Sequence, residues 1–114
     1  MMKKMLNQAV LVGRIVKEPE LKTTESGKKV SNITLAVPRS FKNSNGEYDT
    51  DFISCILWKG VAESTVSYCK QGDLVGIKGR IQTRNYEVND EKKQAVEVVA
   101  EKVTFLSSKR QEEE

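Results

Sequence analysis

The residues best suited to do chemistry lie in Thr50-Asp51-Phe52-Ile53-Ser54-Cys55-Ile56-Leu57-Trp58-Lys59. This stretch is dense in β-branched and aromatic residues and lacks Gly and Pro, so it reads as a strand. Alternate side chains of a strand point to opposite faces. Ile53, Cys55 and Leu57 form an apolar face suited to a core. Phe52, Ser54, Ile56 and Trp58 form the other, and Lys59 follows. Rings exposed beside a cation need a ligand to explain them. Nucleobases stacked on the rings, with phosphates at the cations, supply one.

Two more aromatics fit the same pattern. Phe41 lies between Arg39 and Lys42, and Tyr86 follows Arg84 by two positions. A single aromatic is more often core than platform. Phe41, Phe52, Trp58 and Tyr86 together, three of them close to Lys or Arg, favour a stacking surface. Tyr48 could add to it, whereas Tyr68 and Phe105 read as structural. Arg14, Arg39, Lys42, Lys59, Lys78, Arg80 and Arg84 are the candidate phosphate contacts.

Other chemistries find little support. The chain has no His and two Cys, Cys55 and Cys69, which are not in a CxxC pair. No zinc set or His base can be assembled. Both cysteines fall at apolar positions and read as buried free thiols of a reducing compartment. There is no P-loop, GxGxxG or GxSxG. Asp49 and Asp51 lack the further carboxylates of a metal site. Gly76-Ile77-Lys78-Gly79 has the GxxG spacing of KH domains, but its strand-like flanks make it a strand bend. No catalytic residue, metal or cofactor is expected. The net charge of +3 points only weakly to nucleic acid.

The chain has 114 residues, enough for one domain. Ala9 to Val16 reads as a strand with a bulge or bend at Gly13. Ser26-Gly27-Lys28 marks a turn. Val30 to Val37 reads as a second strand, with Ile33, Leu35 and Val37 on one face; Pro38 ends it or places it at an edge. Asn45-Gly46 predicts a type I′ hairpin turn joining it to the ring-bearing strand. Val61 to Lys70 predicts a helix with Ala62, Val66 and Cys69 on its apolar face and Gly72 as its C-terminal glycine. Asp73 to Tyr86 reads as a fourth strand, with Val75, Ile77 and Ile81 facing one way and Lys78, Arg80, Gln82, Arg84 and Tyr86 the other. Glu87 to Gln94 reads as a charged turn, and Ala95 to Leu106 as a fifth strand. Three strands, a helix and two strands is the order of an all-β, five-stranded Greek-key OB-fold barrel. The domain is expected over 1–106, with a short polar tail at 107–114. There is no membrane-spanning run or secretory signal, so cytoplasmic residence is the default expectation.

Several segments, in order, resemble the bacterial and phage single-stranded DNA-binding proteins (SSB family). They are Asn7-Gln8-Ala9-Val10-Leu11-Val12-Gly13-Arg14, Glu18-Pro19-Glu20-Leu21, Ser31-Asn32-Ile33-Thr34-Leu35-Ala36-Val37, Ala62-Glu63, Gly79-Arg80-Ile81-Gln82-Thr83-Arg84 and Glu97-Val98-Val99-Ala100. The resemblance implies an OB-fold, usually a homotetramer, that coats single-stranded DNA without sequence specificity during replication, recombination or repair. It also implies base stacking at Phe41, Phe52, Trp58 and Tyr86, the four rings that alternation selects. Residues 1–4 read as an extension of the usual start. The sequence ends in Lys109-Arg110-Gln111-Glu112-Glu113-Glu114, without the Gly/Pro/Gln-rich linker and acidic Pro-Phe tip of many members. On that reading it is a short form for which recruitment of replication and repair enzymes is doubtful. The rivals are a protein-interaction OB subunit, a cold-shock-type RNA binder and a metal-dependent OB-fold nuclease.

Overall fold

The computed structural model describes residues 5–109. The expectations for residues 1–4 and for the tail from Arg110 onward lie outside the described residues. The elements are β1 (Ala9–Ile15), β2 (Lys22–Thr23), β3 (Lys29–Lys42), β4 (Tyr48–Trp58), α1 (Lys59–Tyr68), β5 (Leu74–Val88) and β6 (Glu91–Ser107). The sheet runs β1-β5-β6-β4-β3-β2, and β1 also pairs with β3. That extra pairing, at Arg14↔Ala36 and Ile15↔Leu35, closes β1, β5, β6, β4 and β3 into a barrel. The barrel and α1 form the OB-fold that the element order predicts.

Alternation explains the core. Ile33 and Leu35 from β3, Cys55 and Leu57 from β4, and Val75 and Ile77 from β5 all point inward and are buried with Ile15, Val98 and Ala100. Ile53 and Val37 are partly buried against them. α1 packs against β3, β4 and β6 and buries Ala62 and Thr65. Thr65, not Val66, continues the inward face after Ala62, because positions three and four residues on both fall near one full turn of the helix. The helix begins two residues earlier than expected. Gly72 does not cap it; Cys69 does, and Gly72 takes its φ of 90° in the turn closed by Asp73 N to Lys70 O.

Three features depart from the expected register. β3 does not stop at Val37. It continues through Pro38, opposite Thr50, to Lys42. Pro38 lies where β3 has β4 as its only strand neighbour, so its missing N–H breaks no ladder bond. The hairpin turn at Asn43–Gly46 is type I followed by a bulge glycine. Gly46 alone has positive φ, at 77°, and the Asn43 side chain accepts from the backbone N–H of Asn45 and Glu47. The type I′ turn lies elsewhere, at Asn89 (φ 52°) and Asp90 (φ 65°). β5 and β6 therefore pair all the way to Val88↔Glu91, and most of the expected charged turn is strand. The two-residue β2, paired to Lys29 and Val30, has no sequence signature.

Two glycines permit close backbone approach. A Cβ at Gly13 would lie 2.7 Å from the Ala36 carbonyl oxygen, where β1 passes from β5 to β3. The β1–β5 register is continuous across Gly13, so it is a closure point rather than a bulge. Gly79 lies still closer to β6, beside the register shift between Lys78 and Gly79. This is the strand bend expected of Gly76-x-x-Gly79.

Candidate nucleic-acid interface

β4 carries the centre of the surface. Phe52 is 66% exposed, Ser54 is exposed, and Ile56 and Trp58 are half-buried. The residues opposite on β3 are small or polar: Ala36 faces Phe52, Thr34 faces Ser54 and Asn32 faces Ile56. Trp58 faces Val30 at the far end of the strand pair. Six residues of strand put about 20 Å between Phe52 and Trp58.

Two antiparallel arms extend the surface beyond the barrel. On the β3–β4 arm Phe41 is 65% exposed, and Lys42 Nζ lies 5.8 Å from the centroid of the exposed Tyr48 ring. On the β5–β6 arm Tyr86 is 38% exposed, with the Arg84 guanidinium 5.6 Å from its ring centroid. All four expected stacking residues are thus accessible. Tyr68 and Phe105, expected to be structural, are exposed as well; both line a surface groove with Lys70 and Lys109. Ile81, expected on the same strand face as Val75 and Ile77, is exposed because it lies past the bend at Gly79. Its backbone N–H and C=O bond to the Asn7 side chain at 2.8 and 2.6 Å.

The candidate cations divide by partner. Lys59, Lys78 and Arg80 are exposed and make no ion pair among the described residues. Lys78 stands opposite Lys102 in the β5–β6 ladder, a like-charge pair that an anion would relieve. Arg14 donates to the Gly72 carbonyl at 3.1 Å. Arg39 is bound by Asp51 and lies near Asp49. Arg84 is paired with Glu97 at 3.0 Å. Lys93, opposite Tyr86, and Lys102 escaped the sequence reading. Lys93 follows from the Asn89-Asp90 turn, since counting back from it sets Lys93 against Tyr86, whereas Lys102 lies beyond the register shift at Lys78/Gly79 and reaches Lys78 only because of that shift.

Among the described residues nothing at the surface is arranged for covalent chemistry. Cys55 and Cys69 are buried free thiols. Burial pushes the Cys55 thiol up to about 11 and raises that of Cys69, which Asp73 raises further. Thiols so shifted are poor nucleophiles at neutral pH. Among the described residues no group of His, Cys, Asp and Glu could hold a metal ion, and no helix is long and apolar enough to cross a membrane. The surface offers flat rings and cations, as an extended polyanion with flat bases requires.

Comparison with known proteins agrees. Residues 6–106 match the model of the single-strand binding protein family. Single-stranded DNA-binding protein B of Bacillus subtilis is 49% identical over 110 residues, covering 95% of this chain and 96% of that protein. Single-stranded DNA-binding protein 3 of Listeria innocua is 52% identical over 107 residues, covering 93% of this chain and 67% of that one. A solved structure described as a Plasmodium falciparum SSB complex with ssDNA superposes with a TM-score of 0.81 at 26% identity, covering 94% of this chain and all of that one.

Proposed function

The chain belongs to the single-strand binding protein family, and from that premise we propose that it coats single-stranded DNA without sequence specificity during replication, recombination or repair. It is a binding protein, not an enzyme. The observation that carries this reading is the set of four accessible rings, Phe41, Phe52, Trp58 and Tyr86, on the outer strand face and the two arms. Every base has a π-face, so stacking at about 1–3 kcal/mol per base is tolerant of sequence. Lys59, Lys78 and Arg80, with Lys93 and Lys102, meet phosphates. The test is titration with poly(dT), poly(dA) and duplex DNA of equal length. Similar tight binding of both single strands and weak binding of the duplex supports the reading; equal affinity for the duplex refutes it.

The functional unit of this reading is a homotetramer. From Ala9 to Gly13, β1 pairs with β5 along one edge and leaves the other without a strand; β3 joins only at Arg14 and Ile15. Val10 and Val12 on this segment are 71% and 51% exposed. An open apolar edge strand is a template for pairing with another copy. Light scattering at micromolar concentration should give four times the chain mass, and a monomer mass would remove this part of the proposal.

A further inference from the structure

Glu97 is an acid in an apolar position. It lies beside Val98 on β6 and is 5% exposed. A carboxylate so buried needs partners. It stands opposite Gln82 in the β5–β6 ladder, and its Oε1 accepts from Arg84 Nε at 3.0 Å and from Gln82 Nε2 at 3.3 Å. The Arg84 guanidinium lies over the Tyr86 ring. Gln82, Arg84 and Tyr86 alternate along one face of β5, so a single carboxylate reaches the ring through a single side chain.

This arrangement has two consequences. The Arg84 charge is already matched through Nε by an anion fixed in the fold, so a phosphate at the exposed remainder of the guanidinium would have to compete with Glu97 for it. One face of the Tyr86 ring is also occupied by the guanidinium, which leaves the other for a base. We infer that Glu97 is a positioning residue for the Tyr86 platform: it holds Arg84 against one ring face and withholds it from phosphate. The inference rests on the reading of Tyr86 as a stacking residue.

The test is anisotropy of a labelled oligo(dT) over a range of NaCl concentrations. Tyr86→Ala should weaken binding about tenfold with the salt slope unchanged. If it does not weaken binding, the stacking role of Tyr86 fails first, and this inference with it. With that role established, Glu97→Gln should free Arg84 and steepen the slope of log K against log salt by about 0.7. Adding Arg84→Gln should abolish the steepening. At high salt, Glu97→Gln should bind several-fold more weakly than the unchanged protein, and this loss should vanish in the Tyr86→Ala background. A lowered melting temperature with an unchanged slope would make Glu97 a structural staple and overturn the inference. A second variant decides the matter even if Glu97→Gln fails to fold. Arg84→Gln alone should weaken binding without changing the slope; a slope flattened by about 0.7 would show Arg84 on a phosphate and overturn the inference.

Discussion

Arg39 of β3 grips Asp51 of β4 through three hydrogen bonds. Nε donates to both carboxylate oxygens, at 3.3 and 3.1 Å, and Nη2 donates to Oδ1 at 3.0 Å. Asp51 precedes Phe52 on β4 and lies on the opposite strand face, and the pair holds in reserve a cation that DNA following the β3–β4 arm could use. Asp51→Asn should release Arg39, raise poly(dT) affinity at low salt and steepen the salt slope by about 0.7. An unchanged slope would show that Arg39 reaches no phosphate even when freed.

The same pair sets a pH dependence. The hydrogen bond from Arg39 holds the Asp51 carboxyl below its ordinary 3.8, with desolvation pulling the other way. A depressed folded pKa contributes stability that is present above the unfolded value and lost as pH falls through the folded one. The stability difference between wild type and Asp51→Asn should therefore be constant above 3.8 and shrink below it. Urea unfolding across that range checks it. The difference should be small, since both side chains are close to half exposed.

Lys59 is the first residue of α1 and has φ 54°, a left-handed conformation that costs a residue with a β-carbon about 1 kcal/mol. A Cβ at the adjacent Gly60 would meet nothing within 4 Å. The double exchange Lys59→Gly with Gly60→Lys should raise the melting temperature, because each residue then suits its backbone. Lys59→Gly alone should stabilise the fold but weaken poly(dT) binding and flatten the salt slope by about 0.7. A variant that gained stability and kept its full slope would remove Lys59 from the phosphate contacts.

Gly79 tests the bend that separates barrel from arm. A Cβ there would collide with the Val99 carbonyl oxygen and lie 3.2 Å from the Ala100 Cα, both backbone atoms. Neither can rotate away. Gly79→Ala should cost about 3 kcal/mol in denaturant unfolding. A loss below about 1 kcal/mol would mean that β6 shifts more freely than the ladder implies.

The barrel was legible because its core strands alternate cleanly. Ile33-Leu35, Cys55-Leu57 and Val75-Ile77 put an apolar residue at every second position, and all six are buried. The arms were harder because alternation there has no core to report. From Thr83 to Gln94 every residue is exposed, so Lys92, Lys93 and Gln94 look like turn although they pair as strand. Asn89-Asp90 lacks the glycine that usually marks a two-residue turn, whereas Asn45-Gly46 has it and adopts a different turn. The four rings were legible from β4 alternation and from neighbouring cations. The partners of those cations were not. Asp51 lies twelve residues from Arg39 and Glu97 thirteen from Arg84, and only the strand register brings them together.

Trp58 gives the most direct test of the surface, because it is the only tryptophan. It is the last residue of β4, opposite Val30 and one position from the buried Leu57. Trp58 is half-buried, which suits a stacking platform better than full exposure would, since a supported ring loses little freedom when a base lands on it. A base stacked on the ring should quench the indole fluorescence. Poly(dT) should quench strongly and to a sharp end point, and poly(dA) nearly as well. Duplex DNA should quench little, because its bases are already stacked and only its phosphates can approach. Trp58→Ala should weaken poly(dT) binding by about 1–3 kcal/mol. The salt slope should stay the same, because the lost contact releases no counterion. Circular dichroism should show the strand content retained, since Leu57 and Cys55, not Trp58, fill the barrel at this end. Emission unmoved by DNA, with a Trp58→Ala protein that unfolds about 3–5 kcal/mol more easily, would make the ring a core residue and take the centre out of the proposed interface.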